Sequence, residues 1–105
     1  MLLFKKKFLD AIRSGSKTQT IRLWPRRQMR TGQRSYIPGV GYIRITEVAV
    51  VELEELTDED AVPDGFETAD ALRTEITELY ADKLQSGYQA YRVVFQVLPA
   101  DEQHK

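Results

Sequence analysis

A chain of 105 residues, 42% hydrophobic and 10% aromatic, buries enough surface to fold as one domain around one core; this excludes disordered and fibrous classes and leaves no room for a separate catalytic module. Zero cysteines exclude disulfides, thiolate metal sites and cysteine nucleophiles and suit a reducing compartment, while no apolar run approaches the roughly 20 residues of a membrane helix, so a cytoplasmic protein without a membrane partner is expected. The net charge of −1 hides an asymmetry: residues 1–46 carry 11 Lys/Arg against the single acid Asp10, and residues 47–105 carry 4 against 15 acids, which is +10 against −11. The N-terminal half can therefore attract a polyanion, or the two halves can pair with each other.

In chain order, residues 1–4 read as a short apolar strand followed by the charges Lys5, Lys6 and Lys7, the reverse of a secretory signal. Residues 6–14 place Phe8, Leu9, Ala11 and Ile12 on one helical stripe, and Gly15 stands where a C-terminal cap belongs. Residues 18–24 are β-prone until Pro25, and the basic stretch 26–34 is a loop returning into a strand at Ser35, Tyr36 and Ile37. After a turn at 38–41, residues 42–53 form the strongest strand, long and central, with a change of phase near Glu47 where a bulge fits.

Thr57 and the acids Asp58, Glu59 and Asp60 begin a short helix, and Pro63, Asp64 and Gly65 make a turn. Thr68 caps a longer helix whose stripe is Ala69, Leu72, Ile76, Leu79 or Tyr80, and Leu84, ending at Ser86 and Gly87. Residues 88–98 are the last strand and 99–105 a polar tail, so the domain spans 1–98. The expected class is a small α+β domain around a mostly antiparallel, barrel-like sheet. Ile43, Ile45, Val93 and Phe95 should fill the barrel, with Leu72, Ile76 and Leu79 of the long helix against it.

Familiar catalytic motifs are absent. There is no Gly-rich phosphate loop or nucleophile elbow, and the sole histidine, His104, is next to last. The acids from Glu52 to Asp60 suit a solvated helix start better than a magnesium site, so neither a metal nor a cofactor is implied. What stands out is Gly15-Ser16-Lys17-Thr18-Gln19-Thr20-Ile21-Arg22, a helix cap running at once into a strand dense in hydroxyl, ammonium and guanidinium groups. Strand alternation puts Thr18, Thr20 and Arg22 on one face and Gln19 and Ile21 on the other.

This segment resembles the Gly-x-Lys-Thr-x-Thr-x-Arg motif of the ASCH domains, relatives of the PUA fold. Looser features follow in order: Thr31-Gly32, a long central strand, Leu56-Thr57, Asp64-Gly65-Phe66, and a final strand with Tyr91, Val93 and Phe95, so that the resemblance covers residues 1–98. It implies a β-barrel of about six strands with two or three flanking helices and a cleft that accepts RNA or a nucleoside. Arg22, Arg26, Arg27, Arg30 and Arg34 could hold phosphates, Thr18 and Thr20 line the motif, and Trp24 and Tyr36 are candidate stacking platforms.

A subset of the family, which this chain resembles in size and motif, are amidohydrolases that deacylate N4-acetylcytidine with a lysine, a threonine and a glutamate. By motif position these are Lys17 as base, Thr20 as nucleophile and, in place of the glutamate, Asp64 as acid, one methylene shorter. The resemblance thus leaves open an RNA- or nucleotide-binding domain and an amidohydrolase, with a ribonuclease and a protein-interaction module behind them.

Overall fold

Four strands, β1 (Gln19–Trp24), β2 (Arg34–Ile37), β3 (Gly41–Val51) and β4 (Gln89–Val97), make one antiparallel sheet in the order β1-β4-β3-β2, curled into a half-barrel. The computed structural model describes residues 1–104, the side chains of Leu84 and Gln85 excepted. The barrel of about six strands implied by the resemblance is thus four strands here. The two longest strands, rich in β-branched residues, are the central pair. A bulge between Ile45 and Glu47 explains the change of phase: it adds one residue to the period of two, so Val48 turns inwards like Ile43 and Ile45.

One face of the sheet packs Ile37, Ile43, Ile45, Val48, Tyr91, Val93 and Phe95 around Leu2, Ile12 and Met29. The other packs Ile21, Leu23 and Ala90 against Leu56, Ala61, Leu72 and Ile76. Ile43, Ile45, Val93 and Phe95 are buried, as expected.

Among the described residues, three α-helices flank the sheet. The first, α1 (Leu9–Ser14), follows a 3₁₀ turn at Lys6–Phe8 and stops at Gly15, whose φ of 86° turns the chain so that the N–H groups of Ser16 and Lys17 reach back to the Ala11 carbonyl. Thr57 and Asp60 form a reciprocal capping box on α2 (Asp58–Ala61). Thr68 caps α3 (Ala69–Gln85) through the Ala71 N–H at 3.1 Å, and Asp58 accepts from the Ala69 N–H at 2.7 Å, tying α3 to α2.

Leu79, residues 1–4 and the segment after Leu98 depart from expectation. Leu79 is 50% exposed instead of packed on the sheet, and Tyr80, the other residue offered at that step of the stripe, packs against the apolar layer. Leu84 lies outside the described side chains. Residues 1–4 are not a strand: one main-chain bond, Leu2 N–H to the Tyr36 carbonyl at 2.9 Å, holds them, and Leu2 and Phe4 pack into the half-barrel instead of pairing along it. The segment after Leu98 is docked, with a 3₁₀ turn at Ala100–Glu102 and the Gln103 side chain bonded to both main-chain groups of Tyr42 and to the Leu98 carbonyl.

Candidate functional site: a cleft along the edge strand

β1 is an edge strand, and a cleft of about 370 Å³ opens along it. That volume lies within the roughly 300–1,000 Å³ common for small-molecule sites. Its floor is Lys17, Thr20, Ile21, Arg22 and Asp64. One wall comes from the N-terminal segment with Leu3, Phe4, Lys5 and Phe8; the other comes from Phe66 and from Leu72, Glu75, Ile76, Leu79 and Tyr80 of α3.

Asp64 reaches the floor because its 3₁₀ turn, Val62–Asp64, is stitched to β1. The Thr18 N–H donates to the Pro63 carbonyl at 2.8 Å, and the Gln19 amide donates to the Asp60 carbonyl at 3.0 Å and to Asp64 Oδ2 at 3.1 Å. Gly65 closes the turn at φ 93°, and a Cβ there would lie 3.5 Å from the Lys17 stem, so the turn presses directly on the lysine.

Lys17 Nζ donates to Asp64 Oδ1 at 2.9 Å and to the Asp64 carbonyl, with the two side chains only 2% and 4% exposed. Phe8, Phe4 and Phe66 surround the ammonium at 4.8, 5.7 and 5.9 Å from their ring centres. Burial lowers the lysine from its ordinary 10.5, opposed by Asp64 and assisted by Arg22. Burial also raises Asp64 above its ordinary 3.8, opposed by Lys17 and Gln19. Burial thus pushes both groups towards their neutral forms, against the attraction between them.

Beside this pair, Thr20 Oγ1 accepts from Arg22 Nε at 3.0 Å, and Arg22 Nη2 donates to the Leu3 carbonyl at 2.6 Å while its guanidinium covers the Phe4 ring. A threonine oxygen that accepts from a cation keeps its own proton free to leave towards a base. Across the mouth, Glu75 of α3 pairs with Lys5 at 2.8 Å and Lys7 at 3.2 Å, clasping the two walls together.

The motif residues Lys17, Thr20 and Arg22 therefore meet Asp64 in one cleft, while the other candidates lie elsewhere. Thr18 lines a separate depression with Gly15 and Phe95. Trp24 is half-buried against Tyr91, at 5.3 Å between ring centres. Arg26 and Arg30 are exposed on the loop, and Arg27 donates to the Val48 carbonyl at 3.1 Å. Arg34 lies over the Tyr42 ring at 4.0 Å and donates to the carbonyls of Glu102 and His104, next to Tyr36, which is 39% exposed.

The sequence alone does not reveal the aromatic cage of Phe4, Phe8 and Phe66, the Gln19 bond to Asp64, or the Glu75 clasp. Phe8 carries the signal of a core stripe, which cannot be told from a cage without knowing what faces it. Glu75 carries no local signal, since its partners are 70 and 68 residues away.

No family model matches the chain, and no curated protein matches it. Among solved structures, the hypothetical protein PH0355 aligns over 91% of this chain and 95% of its own at 16% identity, with a TM-score of 0.76. Protein EF3133 from Enterococcus faecalis, of family DUF984, aligns over 94% of this chain and 76% of its own at 17% identity, TM-score 0.72. An ASCH domain from Lactobacillus crispatus aligns over 85% of this chain and 69% of its own at 16% identity, TM-score 0.65. Identity this low carries architecture alone, and the architecture of this chain is the small α+β, PUA-like fold of an ASCH domain.

Proposed function

We propose that the chain is an amide hydrolase acting on a nucleoside-sized substrate in this cleft, with N4-acetylcytidine as the substrate suggested by the motif resemblance. The observation that carries the reading is the buried Lys17–Asp64 pair beside Thr20 in an aromatic-lined cleft. A lysine that served only to hold phosphate would gain nothing from burial that lowers its charge, whereas a lysine that must act as a base does. The exposed arginines best suited to a polyanion lie outside the cleft.

In the first half-reaction Thr20 Oγ1 attacks the acyl carbon and its proton passes to neutral Lys17. The resulting oxyanion collapses with loss of the C–N4 bond, N4 takes a proton from the Lys17–Asp64 pair, and cytidine leaves. Water then attacks the threonine ester, giving up a proton to Lys17; the intermediate expels Thr20 Oγ1, which takes that proton back from Lys17, and acetic acid leaves and ionises in solvent. Arg22, already bonded to Thr20 Oγ1, holds the nucleophile in position. In this reading the shorter Asp64 acts through the lysine, to which its carboxylate is bonded at 2.9 Å.

The deciding experiment is acetate release from N4-acetylcytidine by the purified chain, with Thr20→Ala as control. Release by the parent chain and its loss in the variant support the reading; no release sinks it. A second reading, binding of single-stranded RNA, draws on the exposed Arg26 and Arg30 and on the stack of Arg34 over Tyr42. Retention of a short RNA at about 50 mM salt and its loss at about 200 mM would favour it.

A further inference from the structure

An antiparallel edge strand bonds its neighbour through alternate residues and turns the main-chain groups of the others outwards. The phase of β1 is set by the bond from the Phe95 N–H to the Thr18 carbonyl, so Thr20 opposite Val93 and Arg22 opposite Tyr91 face β4. The N–H and C=O of Ile21 then face away from β4, and Ile21 lines the cleft. Its side chain is spent on the apolar layer with Leu72 and Ile76. Among the described residues no protein group bonds to either main-chain group, although the residue is buried. A donor and an acceptor side by side at the edge of a strand, both facing the cleft, can bond to a ligand as a further strand would.

We infer that the Ile21 main chain reads the edge of a planar base, its N–H donating to a ring nitrogen and its C=O accepting from the adjacent exocyclic N–H. This rests on the reading that the cleft takes a nucleoside. Cytosine presents that order at N3 and N4, and adenine at N1 and N6; uracil presents the reverse, which sets donor against donor. An N4-acylated cytosine keeps both groups. The base would thus be selected by main-chain groups that side-chain substitution leaves in place.

The test is calorimetric binding of cytidine, 3-deazacytidine, adenosine, 1-deazaadenosine and uridine. It uses the parent chain and a semisynthetic chain in which Ile21 is replaced by its α-hydroxy acid, which removes the N–H and keeps the side chain. The parent should bind cytidine or adenosine, and which of the two identifies the base. Its deaza analogue and uridine should bind about tenfold or more weakly, and the ester should erase the difference between the base and its deaza analogue. The ester at Ile21 removes no ladder N–H but leaves the Thr20 carbonyl a weaker acceptor, so that chain should unfold at a slightly lower urea midpoint than the parent, whereas the same change at Thr20, which removes a ladder N–H, should lower it further. Equal binding of base and deaza analogue by the parent, or discrimination kept by the ester chain, overturns the inference. If acetate release persists in that case, the hydrolase reading survives alone; no nucleoside binding and no acetate release overturn both.

Discussion

The Lys17 ammonium and the Asp64 carboxylate meet at 2.9 Å with almost no solvent around either, although 47 residues separate them. A buried pair of this kind is costly to break from one side, because the remaining charge is left without water or partner. Lys17→Met or Asp64→Leu alone should therefore cost about 3–5 kcal/mol, while the double substitution should recover much of the loss. Urea unfolding of the four chains in a double-mutant cycle checks this; additive losses would mean the two groups are not coupled.

The same pair sets a pH dependence with a definite sign. Asp64 is raised above 3.8 in the folded chain, so its contribution is fully present below 3.8 and is lost as pH rises through the folded value. Lys17 is lowered below 10.5, so its contribution is fully present above 10.5 and is lost as pH falls through the folded value. The stability of the parent chain relative to the Lys17→Met/Asp64→Leu chain should thus pass through a minimum between the two folded values, measured by urea unfolding across pH.

Catalysis by neutral Lys17 predicts that kcat/KM for N4-acetylcytidine rises with pH to a plateau, with a midpoint below 10.5. Thr20→Ala should reduce it by about 10³-fold or more while leaving cytidine affinity within about twofold, since the hydroxyl is the attacking group. Thr20→Ser should retain part of the rate. An unchanged rate in Thr20→Ala would remove the threonine from the chemistry.

The separation of cleft and basic loop is testable on its own. Arg26→Gln with Arg30→Gln should leave nucleoside turnover unchanged, because neither side chain lines the cleft. If RNA binds the loop, the same pair should lower the salt slope of binding by about 0.7 for each phosphate that an arginine no longer neutralises. A fall in turnover would place the arginines in the reaction.

Packing distinguishes neighbours on α3. Ile76→Ala removes a buried side chain from the layer against β1 and should cost about 2–5 kcal/mol. Leu79→Ala, half exposed at the cleft wall, should change stability by about 0.5 kcal/mol or less and act instead on KM. Denaturant midpoints and steady-state kinetics on the two variants check both.

What the sequence determined by itself was everything governed by short-range periods and caps. The β-branched run before Glu47, the break of phase there, Thr57 and Thr68 as helix starts, Gly15 as a stop, and Lys17, Thr20 and Arg22 as one cluster all depend on neighbours a few residues apart. The tertiary structure decided what depends on docking. The bond from the Thr18 N–H to the Pro63 carbonyl brings the Asp64 turn onto β1, and no local pattern encodes a meeting of segments so far apart in the chain. The docking of α3 decides that Tyr80 and not Leu79 meets the apolar layer, because steps of three and of four from Ile76 fit a helical stripe equally well in sequence. The curl of the sheet likewise leaves Arg26, Arg30 and Arg34 outside the cleft that Arg22 enters, since charges adjacent in sequence share a site only where the backbone between them turns the same way.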